Sequence, residues 1–121
     1  MALSEDDIQK QIIGWARHKK VNGKPLSELI HHSPNGGQRH IVTATRFKAM
    51  GTLAGFPDLF VFIARGGFNG LFIELKKPKG RVSTIQQQRI DALNEQGYRA
   101  VVCYGFDESI KTITDYLETW P

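Results

Sequence analysis

The stretch that decides the fold is GFPDLFVFIARGGFNGLFIELK, residues 55–76. Two runs within it, 58–63 and 71–75, are rich in β-branched and aromatic residues and read as strands. Between them Ala64-Arg65-Gly66-Gly67-Phe68-Asn69-Gly70 supplies the Gly and Asn residues that a hairpin turn needs. A turn centred near Gly67 sets Asp58 roughly opposite Lys76, with Glu74 one pair further in. Side chains alternate along a strand, so Glu74 and Lys76 share a face. Two carboxylates and an ammonium then converge at the end of a rigid hairpin, an arrangement that suits a hard divalent cation such as magnesium. A solvated face with cross-strand ion pairs would use the same residues. The apolar runs 60–63 and 71–73 favour a site, because strands of that composition are covered on both faces. Charges within them are paired, metal-bound or functional.

Working outward, the 121 residues fit one compact domain, 1–121, with its own core. With 40% hydrophobic and 23% charged residues, the composition is that of a globular protein and excludes a disordered chain. A net charge of +4 permits a polyanionic partner without demanding one. Cys103 is the single cysteine and lies in the apolar run Ala100-Val101-Val102-Cys103-Tyr104. No internal disulfide can form, which suits a reducing cytoplasm, and the thiol reads as a buried small hydrophobe. The start, Met-Ala-Leu-Ser-Glu-Asp-Asp, is acidic where a secretory leader is basic and then apolar. No apolar run approaches the ~20 residues that span a bilayer. The expectation is a soluble cytoplasmic protein with no membrane partner.

Ser4 opens a first helix, with Asp7 three residues on as a capping-box partner and Glu5, Asp6 and Asp7 at the positive end of the dipole. Ile8, Ile12, Trp15 and Ala16 form its inward stripe, and Asn22-Gly23-Lys24-Pro25 is expected to stop it. Residues 26–32 read as a first strand, and Ser33-Pro34-Asn35-Gly36-Gly37 as a loop. Residues 39–50 read as a short helix or irregular turn. After the hairpin, Ser83 caps a helix to about Gln96 with Ile85, Ile90 and Leu93 inward and Gly97 at its C-terminus. Residues 98–104 form a well-covered or central strand, and Asp107 is expected to cap a last helix whose Ile110, Ile113 and Leu117 face the core. The order is α-β-(α)-β-β-α-β-α, a mixed α/β fold in which a crossover adds a parallel strand to an antiparallel hairpin.

This order, with Pro57-Asp58 on one strand and Glu74-Leu75-Lys76 on the next, resembles the PD-(D/E)XK nuclease superfamily. More specifically it resembles the virus-type replication-repair nuclease (VRR-NUC) family. The matching pieces run along nearly the whole chain: Glu5 before Ile8, Asn35-Gly36-Gly37-Gln38-Arg39, Lys48-Ala49-Met50-Gly51, Gly55-Phe56-Pro57-Asp58, Phe72-Ile73-Glu74-Leu75-Lys76, Gly80-Arg81-Val82-Ser83 with Gln86, and Gly97-Tyr98. Family members often carry an acid after the Asn of the first loop, whereas here Gly36 follows Asn35.

The resemblance implies metal-dependent hydrolysis of DNA phosphodiesters. Asp58, Glu74 and the Leu75 carbonyl would hold Mg²⁺ or Mn²⁺, with water filling the shell, and Lys76 would assist the attacking water or the charged phosphorus. By the same resemblance, the first helix brings Glu5 to the metal edge; otherwise it is one more first-turn acid. Gln86 reaches back toward the lysine, the water or the DNA, or is a solvated helix residue like Gln87 and Gln88. Arg39, Arg46 and Lys48 before the site, and Lys77, Lys79 and Arg81 after it, are candidates for phosphate contacts; scattered surface charge accounts for some of them. His31, His32 and His40 have no Cys or His partner at zinc spacing. Stand-alone members imply a structure-selective endonuclease for branched DNA such as four-way junctions or flaps, acting as a homodimer with apposed sites, in DNA repair, with no small-molecule cofactor and a phage or bacterial origin. The alternative is a catalytically silent DNA-binding module on the same fold. A phosphorylated-metabolite binder would need a Gly-rich strand-to-helix loop, and Gly66-Gly67 joins two strands instead.

Overall fold

The computed structural model describes residues 3–34 and 41–119. In chain order the elements are α1 (Glu5–Ala16), β1 (Lys20–Val21), β2 (Lys24–Pro25), a 3-10 turn (Leu26–Leu29), β3 (Ile30–His32), α2 (Ile41–Ala49), β4 (Leu59–Val61), β5 (Leu71–Lys76), α3 (Thr84–Glu95), β6 (Arg99–Tyr104) and α4 (Gly105–Leu117). Strands β3-β4-β5-β6 make one sheet, antiparallel across the first three and parallel between β5 and β6. Four helices and a sheet of mixed orientation match the α/β class and the order expected from the sequence.

Alternation along β5 sends Leu71, Ile73 and Leu75 into one core and Phe72 into another. The first core takes Ile8, Ile12 and Ala16 from α1 and Ile113 and Tyr116 from α4. The second takes Ile90 from α3 together with Phe56, Phe60 and Tyr98. Every residue of β5 is therefore buried, including Glu74 and Lys76, which continue the face of Phe72. This is the two-sided cover that the apolar runs predict.

Capping accounts for the two helices that flank the site. Ser4 and Asp7 form a reciprocal capping box on α1, and Ser83 and Gln86 form another on α3. Gly97, at φ +87°, ends α3 in the left-handed conformation. β6 lies at the sheet edge rather than its centre, because the crossover through α3 deposits it beyond β5. The edge is closed by Asn94, whose amide accepts from Ala100 N–H at 2.9 Å and donates to the Ala100 carbonyl at 3.0 Å.

Several local expectations are corrected. Asn22 (φ +50°) and Gly23 (φ +82°) are the turn of a small β1–β2 hairpin, and α1 has already ended at Ala16. Pro25 lacks an N–H and starts the 3-10 turn, so only Ile30–His32 remain of the strand expected over 26–32. Asp107 lies within the first turn of α4 rather than capping it, since β6 runs directly into the helix. Ile85 is exposed at the start of α3, against Gly55 rather than the core. The expected loop over 33–37 and the helix over 39–50 fall partly on residues 35–40, outside the described residues. Among the described residues no helix is long and apolar enough to cross a membrane.

The loop before β4 is seated on α3 at Gly55. Its φ is +74°, and a Cβ there would lie 3.0 Å from the backbone of both Ile85 and Gln86. Gly55→Ala should therefore lower unfolding stability by about 2 kcal/mol, measured by urea denaturation, through left-handed strain plus displacement of the α3 start.

Candidate active site

The observed hairpin register pairs Leu59 with Ile73, Phe60 with Phe72 and Val61 with Leu71. Continued one step, it sets Asp58 across from Glu74, not from Lys76 as expected. The turn itself closes on Arg65 and Phe68 around Gly66-Gly67. Asn69 and Gly70 are drawn to the other side, where Asn69 N–H meets the Gly97 carbonyl and the Gly70 carbonyl accepts from Arg99. A slip of two residues leaves every side chain on its expected face, so the acids still meet.

One bond places Asp58. Its Oδ2 accepts from the Leu75 N–H at 2.7 Å, locking the acid to the strand that carries Glu74. Glu74 is 3% exposed and Lys76 is 7% exposed. Lys76 Nζ stands 4.0 Å from Glu74 Oε2, a long contact for a buried pair. Gln86 Oε1 accepts from the Ser83 N–H at 2.9 Å, which fixes the amide so that Nε2 faces Glu74 Oε2 at 3.5 Å. Burial is the main reason that the Glu74 carboxyl is pushed up to about 8; its hydrogen bond to Asp58 and the Asp58 charge push the same way, against Lys76. Without a cation, then, Glu74 stays largely protonated near neutral pH.

The site opens into a cleft of about 300 Å³ lined by Glu5, Asp6, Gln9, His32, Pro34, Asp58 and Leu75. α1 thus delivers Glu5 to the same cleft as Asp58, although the two are far apart in sequence. His32 is the residue that sequence reasoning missed. It closes β3 opposite Leu59, and its Nδ1 lies 3.2 Å from the Asp58 carbonyl. The available signal was that a strand pairing with the one after Asp58 must end beside it. Lys77, Lys79 and Arg81 are exposed on the loop after β5, and Arg46 and Lys48 are exposed on α2. Arg39 lies outside the described residues.

Among the described residues no three His, Cys, Asp or Glu side chains group as a metal cage. What is present is two adjacent carboxyl groups, both oxygen donors, beside Leu75, and the ionised form of the buried one is only partly compensated by Lys76 and Gln86. Magnesium accepts such a set, since it binds through one or two carboxylates and keeps several waters. The residues therefore fit a hard divalent cation.

The chain was compared with known proteins. The VRR-NUC domain matches residues 2–107. A solved structure described as a VRR_NUC domain protein is 40% identical, aligns over 99% of this chain and 93% of its own, and superposes with a TM-score of 0.90. No curated protein matched.

The raised Glu74 pKa gives a signed prediction for metal-free protein. Below about 4.5 the carboxyl is protonated whether folded or unfolded, so its contribution to stability is fully present. As pH rises toward about 8, the unfolded chain ionises freely while the fold resists, and that contribution is lost. In EDTA, the melting temperature of the wild type should fall relative to Glu74→Gln across this window, by calorimetry at pH 5 to 9. Parallel curves would show that Glu74 titrates normally.

Proposed function

The chain belongs to the VRR-NUC family, and on that footing we propose that it is a metal-dependent endodeoxyribonuclease selective for branched DNA such as four-way junctions or flaps. The nuclease-type domain is what the family carries; metal dependence, substrate and roles are our reading. The observation that carries it is Glu74, buried on the central strand beside Asp58 and 4.0 Å from Lys76. An acid pair with a lysine at a cleft is suited to an anionic phosphodiester only once a cation offsets the acids.

Asp58, Glu74 and the Leu75 carbonyl would hold Mg²⁺ or Mn²⁺. When bound, the ion supplies Lewis acidity toward the phosphoryl oxygen and toward water. The remaining work falls to the chain. On cation binding, the proton that burial keeps on Glu74 would be released to water. Lys76 orients the attacking water and offsets the charge that grows on phosphorus. Gln86 holds Glu74 in position, and Glu5 adds a carboxylate at the cleft wall. Lys77, Lys79 and Arg81 take phosphates flanking the scissile one, with Arg39, Arg46 and Lys48, which precede the site in sequence, as further candidates. A homodimer would supply the second site needed to cut both strands.

Labelled linear, flapped and four-way DNA incubated with Mg²⁺, Mn²⁺ or EDTA tests this. Branched DNA should be cut with either metal and spared in EDTA, with paired symmetric nicks as the mark of two apposed copies. Asp58→Ala, Glu74→Gln and Lys76→Ala should each lower the rate by at least about 10²-fold. Cleavage by Asp58→Ala at the wild-type rate would overturn the assignment, and binding without cleavage by the wild type would leave a silent DNA-binding module.

A strained lysine gives a second test. The Gly80 N–H bonds to the Lys77 carbonyl at 2.9 Å around Pro78-Lys79, and Lys79 takes φ +68° where such a turn prefers Gly. Lys79→Gly should raise stability by about 1 kcal/mol and weaken DNA binding, as seen in parallel melting and anisotropy titrations.

A further inference from the structure

Three tyrosines stand in the sequence, and the fold accounts for two of them. Tyr98 packs edge-on against Phe60 and Phe72 at 6.0 and 5.2 Å. Tyr116 is buried, and its hydroxyl donates to the Ile63 carbonyl at 2.6 Å. Tyr104 has no such role. It is 40% exposed, and among the described residues it has no hydrogen-bond, ion-pair or ring partner. A single exposed ring needs no explanation by itself; its place in the sheet gives it one.

The parallel register pairs Tyr104 with Lys76, as it pairs Val102 with Glu74. Alternation sends Ala100 and Val102 toward the second core, and Val101 and Cys103 toward the first. Tyr104 therefore continues the face that carries Glu74 and Lys76, as the last residue of the edge strand. The turn over 77–80 passes close to both strand ends. A Cβ on Gly80 would lie 3.3 Å from the Lys76 Cβ, and one on Gly105 would lie 4.0 Å from Pro78 Cγ. Lys76 thus shares its surroundings with the loop that carries Lys77, Lys79 and Arg81 and with an open aromatic ring.

Distance decides what that ring can meet. Neighbouring strands lie about 4.8 Å apart, and successive nucleotides of one DNA strand rise by about 3.4 Å. A phosphate addressed by Lys76 puts the base of the next nucleotide, or of the one after, within reach of Tyr104. Inside an intact duplex both faces of that base are taken by its stacked neighbours. Only a nucleotide left unpaired at an interruption offers a free face, and aromatic side chains bind such faces with little regard for sequence. We propose that Tyr104 is the platform on which an unpaired base beside the scissile phosphate stacks, so that it selects flapped or branched DNA over intact duplex. The proposal rests on the nuclease reading for its ligand and for the place of the phosphate, but its test is read by binding alone.

The test is an anisotropy titration of the full chain in EDTA, with a flapped DNA and a linear duplex of the same composition. In a matching set of flaps, the unpaired nucleotides nearest the branch are made abasic one at a time. Tyr104→Leu keeps apolar bulk at the sheet edge without a planar face, and Tyr104→Phe keeps the face. With melting temperatures unchanged, Tyr104→Leu should weaken flap binding about tenfold and leave duplex binding alone, while Tyr104→Phe binds like the wild type. At one abasic position the wild type should itself lose about tenfold, and Tyr104→Leu should lose nothing more. The slope of log K against log salt should be the same in all three proteins, because no charge is removed.

Equal flap affinity for the wild type and Tyr104→Leu overturns the platform. So does a loss in Tyr104→Phe as large as that in Tyr104→Leu, which assigns the work to the hydroxyl. A changed oligomeric state of Tyr104→Leu without DNA, by light scattering, assigns the ring to a second copy and overturns it too. The abasic-sensitive pattern in a wild type that cuts nothing in Mg²⁺ sinks the nuclease reading and leaves the platform standing. Cleavage of flaps by a wild type that lacks the pattern sinks the platform alone.

Discussion

A carboxylate at 3% exposure on a strand covered from both sides is the constraint around which this domain is arranged. Burying such a group as an anion without compensation costs several kcal/mol, and evolution ordinarily replaces it with an apolar residue. Here the compensation is partial by construction. Lys76 is at the limit of ion-pair distance, Gln86 is at the limit of a hydrogen bond, and Asp58 adds a second acid. Near neutral pH Glu74 therefore holds its proton, because burial and the neighbouring acid outweigh what Lys76 offers the ionised form.

The second core explains why the acids do not splay apart. Phe60 and Phe72 stack at 4.2 Å across the two strands, directly before Asp58 and Glu74, and Phe56 and Tyr98 meet Phe72 edge-on at 5.4 and 5.2 Å. These rings hold β4 and β5 in register at the end where the carboxylates leave the sheet. The aromatic cluster and the Asp58–Leu75 bond thus act on the same degree of freedom, the separation of the two acids.

Much of this was legible in the sequence because it is local. The capping boxes of Ser4 with Asp7 and Ser83 with Gln86 are complete within four residues. The face shared by Glu74 and Lys76 follows from a spacing of two. The misjudged register did no harm, since the slip was an even number of residues. The illegible features are all long-range. Glu5 reaches the cleft only because Ile8, Ile12 and Ala16 dock α1 onto the sheet, and nothing in the spacing of Glu5 encodes that. His32 required knowing that β3 pairs with β4. The small β1–β2 hairpin was written in Asn22-Gly23, but a two-residue strand carries no periodicity to accompany its turn.

The start of α3 joins these parts. One residue, Gln86, closes the capping box with Oε1 and presents Nε2 to Glu74, so the fold of the helix end sets the amide that faces the acid. The Gln86 backbone nitrogen also lies where a Cβ on Gly55 would come within 3.0 Å of it, on the loop that leads from α2 to β4. A displacement of α3 by a few tenths of an ångström would therefore be felt both by the buried carboxylate and by the segment leading to α2.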